Sequence, residues 1–331
     1  MNNKRCLVTG GNGFIGHQLA RYLKNLGCWV RVVDIKPYEY GKVSDFCDEN
    51  LILDLRVPNN CQSALIKNYI NKSEFDEVYQ LAADMGGMGF IHSAECDIMH
   101  NNVLINVNMI HAAAGLQVPK YFYSSSVCVY KNMKPGDPQL TEDDAYPAQP
   151  DNNYGFEKLY AEKMLIAYGK KSGMEVRIAR FENCYGPEGT WQGGREKAPA
   201  AMCRKIAMAN DGDIIEIWGD GSAVRCYTYI ADMVRGIYTL TQSNVNQPTN
   251  IGSHQYVSVL DLVNTVAKVA GKKISIKTVP GPVGVQSRNF SNERIYSTGW
   301  KSQYNLEQGI IHTYPWIEEQ VKNSLKKQIN F

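Results

Sequence analysis

The 331-residue sequence has no run approaching the roughly twenty apolar residues that a membrane-spanning helix needs. Its N-terminal MNNKRCLVTGGNGFIG carries no long apolar stretch after Lys4 and Arg5, which argues against a secretory leader. Cys-x-x-Cys pairs are missing too. Nine cysteines, an odd number scattered from Cys6 to Cys226, suit neither a disulfide framework nor a zinc site, so a reducing, cytoplasmic setting is expected. Charge of one sign is not in excess: 35 Lys+Arg against 33 Asp+Glu leave a formal net charge of +2, far from the basic balance of a dedicated nucleic-acid binder. Fixed-period repeats and low-complexity tracts are absent as well. What is there, 44% hydrophobic and 21% charged, is the composition of a folded chain of one or two domains.

The first half alternates short apolar runs with amphipathic segments. Arg5–Thr9, Val30–Asp34, Glu77–Ala82 and Tyr121–Ser124 read as strands, and Ile15–Leu26 reads as a helix. Parallel neighbours need crossover connections, so this rhythm predicts an α/β fold: a doubly wound parallel sheet covered by helices on both faces. Beyond Pro187, Gly and Pro clusters at Gly186–Gly194, Gly219–Gly221 and Pro280–Gly284 punctuate shorter elements and suggest a smaller second domain. Helices are expected there at Ala198–Ala209, Val259–Val269 and Gly309–Val321.

In TGGNGFIG, Gly10, Gly13 and Gly16 form a GxxGxxG string between a predicted strand and the mouth of a predicted helix. That placement lets backbone N–H groups at a helix N-terminus approach a pyrophosphate that a Cβ in the turn would obstruct. Asp34 ends the next strand, where a carboxylate accepts both ribose hydroxyls and repels a 2′-phosphate, which favours NAD over NADP. An ordinary tight turn is the plainer reading of the glycines alone.

Tyr154 and Lys158, in YGFEK, are spaced i, i+4 and share one helix face. An ammonium beside a phenol favours the phenolate, so the phenol is expected to fall from its ordinary value of about 10 toward neutrality and serve as a base. Ser126, in SSSVCVY, is placed to hydrogen-bond the same reacting hydroxyl. The Tyr/Lys pair has a bland alternative, a surface helix pair, and Cys128 of the same SSSVCVY string has another, a small buried apolar cysteine. Together, GxxGxxG, the serine and YxxxK resemble the extended short-chain dehydrogenase/reductase superfamily, many of whose members act on nucleotide sugars. The resemblance implies a Rossmann-type sheet holding NAD over residues 1–182, with a return segment around 224–251, and a smaller α+β portion, mainly 183–331, holding the nucleotide sugar. It adds Phe14, Ile15, Asp54, Leu81 and Ala82 to the expected cofactor contacts.

Within that superfamily, sugar-nucleotide 4,6-dehydratases carry an Asp-Glu pair after the serine, where this chain has Val127 and Cys128. Elimination loses its acid, and a thiol stands where a carbon-deprotonating base would be; a cation or helix terminus lowers a thiol's pKa toward use. Three long strings, LAADMGGMGFI (Leu81–Ile91), YGPEGTW (Tyr185–Trp191) and GGREKAPAA (Gly193–Ala201), resemble the GDP-mannose 3,5-epimerase family. That likeness implies a catalytic set of Ser126, Cys128, Tyr154, Lys158 and Lys197, the lysine facing the cysteine across the sugar. It implies substrate contacts at Gly86, Asn183, Glu196, Ala198, Lys205, Arg225 and Arg288, with Met85 and Met88 as adaptable walls, and guanidinium forks suited to a diphosphate. The chain departs from the family at Val127 and at Gln286, which stands in place of a basic residue. The expected reaction takes GDP-mannose to GDP-L-galactose, GDP-L-gulose or both, in a homodimer joined through helices including Asn101–Ala114 and Tyr154–Lys170. A 4-epimerase of another GDP- or UDP-sugar needs Ser126, Tyr154 and Lys158 but neither Cys128 nor Lys197, and a non-catalytic NAD-binding protein needs none of them.

Overall fold

Strand–helix alternation in the first half folds as predicted. The computed structural model describes residues 3–66, 72–134, 136–150, 152–281 and 287–329; Gln286 and the Met88 side chain lie outside what is described. The elements run β1 (Arg5–Thr9), α1 (Phe14–Asn25), β2 (Trp29–Asp34), β3 (Glu49–Ile52), α2 (Pro58–Leu65), β4 (Glu77–Gln80), α3 (Met88–Ser93), α4 (Glu95–Gly115), β5 (Lys120–Ser126), α5 (Asn153–Ser172), β6 (Glu175–Phe181) and β7 (Asn183–Tyr185). There follow α6 (Ala198–Met208), β8 (Ile214–Trp218), β9 (Val224–Tyr229), α7 (Ile230–Gln242), β10 (Thr249–Ile251), β11 (Tyr256–Ser258), α8 (Val259–Ala270), β12 (Ser275–Val279), α9 (Glu293–Tyr296) and α10 (Leu306–Ile329). The last helix is longer than its predicted Gly309–Val321 core and runs through Pro315.

Seven strands make one parallel sheet in the order β10-β6-β5-β4-β1-β2-β3. Side chains alternate across it, as the period of two in a strand requires. Cys6 and Val8 of β1 enter the core that includes Leu19 and Leu23 of α1, whereas Leu7 joins the opposite core with Met109 and Ile110 of α4 and Leu165 of α5. Between β1 and β4 the chain order reverses direction across the sheet, and such a switch point opens a crevice at the carboxyl ends of the strands. A three-stranded sheet, β11-β9-β7, and a parallel pair, β12-β8, make the smaller portion with α6, α8 and α10. Between β9 and β11 the chain returns to the main sheet, since α7 packs on α1 and β10 pairs with β6.

Helix α5 is seated by its ends and by a buried ion pair. Asn152 caps it by accepting from Gly155 N at 2.9 Å, and Gly173 closes it with φ +77°. Arg180 on β6 and Glu162 on α5, both fully buried, pair at 2.8 Å, and Ser125 Oγ of β5 donates to the same carboxylate.

Candidate active site

The glycine string is a turn with no space for side chains. Gly10 has φ +65°, and a Cβ there would lie 2.8 Å from the Ala82 backbone; a Cβ on Gly16 would lie 2.1 Å from Gly10 O. Gly13 is the N-cap of α1 and makes no side-chain cap, so the first-turn N–H groups are left for a ligand. At the end of β2, the Asp34 carboxylate accepts from Asn12 N at 3.0 Å and Lys36 N at 3.2 Å, and burial raises its pKa against those bonds. Asn12, which sequence reasoning missed, donates from Nδ2 to Lys36 O and Asn50, while its Oδ1 is buried with no partner. A Cβ-free turn, a buried carboxylate and an unmet acceptor beside it fit the ribose and diphosphate of a dinucleotide.

From this turn a cleft of about 630 Å³ runs toward the ends of β5 and β6. All the expected cofactor residues line it: Gly10, Gly13, Phe14, Ile15, Gly16, Asp34, Asp54, Leu81 and Ala82 on the turn side, and Tyr154 and Lys158 farther along. Thr9 Oγ1 accepts from the backbone N–H groups of Leu81 and Ala82 at 3.2 and 3.3 Å, which positions that wall. Asp54 is clamped by Arg56 at 2.7 Å, which holds the carboxyl below its ordinary pKa.

Ser126 ends β5, and its Oγ accepts from Cys128 N at 3.1 Å, leaving its hydroxyl proton to donate into the cleft. Gly155 lets α5 come this close, because a Cβ there would sit 2.0 Å from Cys128 O. The structure thus brings Tyr154 to Ser126 and Cys128: the phenol hydrogen-bonds Ser126, and Cys128, half-buried, packs in an apolar cluster with Tyr154, Ile91 and Ile98. One expectation is reversed here. Tyr154 is held well above, not below, the ordinary phenol value; burial is the main cause, Cys128 and Glu157 add to it, and the Ser126 hydrogen bond only opposes it. Lys158, 2% exposed, sends its ammonium to Ser124 O at 3.1 Å and lies 5.5 Å from the Tyr154 ring centroid; burial lowers its own pKa. In so dry a site desolvation governs both groups.

The opposite rim comes from the loop before α6. Lys197, the N-cap of α6, is half-buried and lines the cleft. Burial lowers its pKa, and the nearby Cys184 and Cys128 thiols oppose that. Gly86 also lines the cleft, and neighbouring Gly87 fits close against this loop: its N–H donates to Arg195 O at 3.0 Å, and a Cβ would meet Glu196 O at 2.6 Å. Arg195 stacks 3.7 Å from the Phe90 ring centroid and pairs with Asp84 at 3.0 Å. Asn102, buried on α4, holds the Asp84 backbone by accepting from its N–H at 2.7 Å and donating to its carbonyl at 3.2 Å. Sequence offered only the run of asparagines in this helix, Asn101, Asn102, Asn106 and Asn108, as a signal.

Other expected substrate residues are not part of this cleft's lining, Cys128 among them, which packs just behind Ser126 in the cluster with Tyr154. Glu196 is taken by Arg204 at 2.8 Å, Lys205 donates to Glu216 O at 2.7 Å, and Asn183 donates to Cys226 O at 3.3 Å. Ala198 starts α6 on the exposed side, and Arg225 donates to Val224 O at 2.8 Å. Buried Arg288 reaches Val127 O at 3.4 Å, behind the Ser126 turn. Glu182 does line the cleft and was missed; buried beside Tyr256 and Asn292, its carboxyl is pushed up to about 7 by burial.

Known proteins match both the geometry and the chain. The sequence pattern of the NAD dependent epimerase/dehydratase family spans residues 6–252. Over 329 residues the chain is 43% identical to the GDP-mannose 3,5-epimerase of Arabidopsis thaliana, covering 98% of this chain and 85% of that one. It is 24% identical to the GDP-L-fucose synthase of Escherichia coli (strain K12), with 96% and 98% covered. The fold matches the UDP-glucose 4-epimerase of Thermus thermophilus, solved in complex with NAD, at a TM-score of 0.80 and 23% identity, with 95% and 98% covered. With a family pattern across more than half its length and a turn shaped for a dinucleotide, the chain belongs to the NAD dependent epimerase/dehydratase family, and NAD is its cofactor.

Proposed function

We propose that this chain converts GDP-mannose to GDP-L-galactose, GDP-L-gulose or both by exchanging protons at carbons 3 and 5 of the hexose. The observation that carries this is a second pair of proton carriers beside Ser126 and Tyr154: the Cys128 thiol against the Tyr154 ring, and the Lys197 amine within its electrostatic reach. Hydride transfer at carbon 4 requires neither. Relatives named GDP-mannose 3,5-epimerase in Arabidopsis thaliana and Oryza sativa subsp. indica, at 43% and 42% identity, add support.

NAD, which the Gly10–Gly16 turn and Asp34 would hold, would supply a reversible hydride acceptor for carbon 4. Tyr154 would accept the carbon-4 hydroxyl proton as its phenolate, with Ser126 donating to the same substrate oxygen. Burial disfavours that form, and the positive charge of a bound nicotinamide, together with the Lys158 ammonium 5.5 Å from the phenol ring centroid, would favour it. With carbon 4 a ketone, the hydrogens on carbons 3 and 5 become acidic. Cys128 and Lys197 remove a proton from one face and return one to the other, and re-reduction at carbon 4 closes a redox-neutral cycle. Burial lowers the Lys197 ammonium's pKa, which eases loss of its proton.

Incubating the enzyme with GDP-mannose in D2O and reading the products by NMR tests this. Deuterium at carbons 3 and 5 of a new GDP-hexose is the expected result, and deuterium at carbon 5 alone would restrict the product to GDP-L-gulose. A new hexose without carbon-bound deuterium would make the chain a 4-epimerase, and no turnover of any GDP- or UDP-sugar would make it a binding protein.

On this proposal residues 1–182, with the return around 224–251, hold NAD, and 183–331 mainly hold the nucleotide sugar. The assembly is a homodimer formed through α4 and α5, which pack together and leave Phe156 and Tyr160 exposed. Sedimentation at micromolar concentration should give twice the 37.2 kDa chain mass, and a monomer would remove the dimer. A reducing cytoplasm suits nine free thiols, and among the described residues no helix is long and apolar enough to cross a membrane.

A further inference from the structure

The loop that follows β7 walls the cleft beside the glycine turn: Gly186, Glu188 and Gly189 line it together with Gly13 and Phe14. The contact is close, since a Cβ on Gly189 would lie 3.2 Å from the Phe14 ring. Glu188 adopts φ +62°, a left-handed conformation that glycine takes freely and other residues seldom take. Its Oε2 compensates by gathering four donors: His17 Nε2 at 2.7 Å, Tyr38 OH at 3.0 Å, Arg21 Nη2 at 3.2 Å and Gln18 Nε2 at 3.4 Å. Three of them sit on α1, whose N-terminus is the glycine turn, and Tyr38 follows Asp34 on the segment after β2. His17 extends the chain of contacts, because its Nδ1 lies 2.8 Å from Gly13 O. The chemistry described above uses none of these groups.

We infer that Glu188 is a latch on the cofactor: its carboxylate pins residues 186–190 to α1 across the diphosphate end of the cleft, so NAD leaves only when this cluster opens. The inference rests on NAD binding and stands independently of which sugar the enzyme takes. An enzyme that returns the hydride to its substrate in every cycle has no use for cofactor exchange, so a slow exit would not limit it.

The test loads the enzyme with radiolabelled NAD, chases with excess unlabelled NAD without any sugar, and follows loss of label. Glu188→Gly removes all four contacts while relieving the left-handed backbone, so exit should be at least about tenfold faster with an unchanged or higher melting temperature. A merely structural role would lower the melting temperature and leave the exit rate alone. If that variant fails to fold, the double variant Arg21→Gln/Tyr38→Phe keeps the loop sequence intact and should also release label several-fold faster. Exit within about twofold of the unsubstituted enzyme, or an affinity change confined to the rate of entry, would overturn the latch.

Discussion

Replacing Cys128 with alanine should reduce deuterium incorporation at carbons 3 and 5 by about 10²- to 10⁴-fold, the range for losing a positioned proton carrier. The change is small in structural terms: Cys128 is half-buried beside Ile91 and Ile98, and its backbone N–H, not its thiol, donates to Ser126. Ser126, Tyr154 and Lys158 keep their places, so exchange of hydride at carbon 4 should persist, followed with GDP-mannose tritiated at that carbon. The two readouts separate under the proposed chemistry and fall together if the thiol only supports the Tyr154 ring. Wash-in at the unsubstituted rate would show that Cys128 carries no proton.

Glu162→Ala should destabilise the protein by about 3–5 kcal/mol, measured by urea unfolding, because it strands the Arg180 charge in the interior. Both side chains are 1% exposed. Arg180 keeps Tyr130 OH and Glu142 O as acceptors, at 3.0 and 2.7 Å, but neither carries charge. Removing both partners, in Glu162→Leu/Arg180→Met, should recover much of the loss, as replacing a whole buried pair with apolar groups commonly does. A cost for Glu162→Ala below about 1 kcal/mol, the size of an exposed pair, would contradict the assignment. The pair ties α5 to β5 and β6, so the single variant should also weaken the seating of Tyr154.

What was legible from sequence is what local pattern encodes. The run Arg5–Thr9 is bounded by polar residues and a glycine, and it became β1 to the residue. Gly10, Gly16 and Asp34 declared themselves because backbone crowding and a strand-end carboxylate leave few alternatives. Tyr154 and Lys158 followed from i, i+4 spacing, yet the direction of the phenol's shift did not, because desolvation depends on burial that no spacing reports. Asn12, Asn102 and Glu188 stayed hidden for a related reason: each acts through partners brought from elsewhere in the chain, 171 positions away for Glu188 and His17. Glu196 and Lys205 had plausible charge and motif context, and only the fold shows that Arg204 and the Glu216 carbonyl occupy them.

The seventh strand of the main sheet has a consequence for how the molecule can be divided. β10 comes between two strands of the three-stranded sheet, β9 and β11, and closes the β6 edge, with Asn250 opposite Arg180. Asn250 also receives Tyr130 OH at 2.6 Å and donates to Ser291 O at 2.9 Å, so the strand is stitched both to the segment after β5 and to the chain well beyond it. A fragment ending near residue 182 would expose β6 as a bare edge, open to pairing with other chains, and would uncover α1 where α7 now lies. The N-terminal portion should therefore not fold cleanly when cut at residue 182, and the whole chain should unfold in a single calorimetric transition.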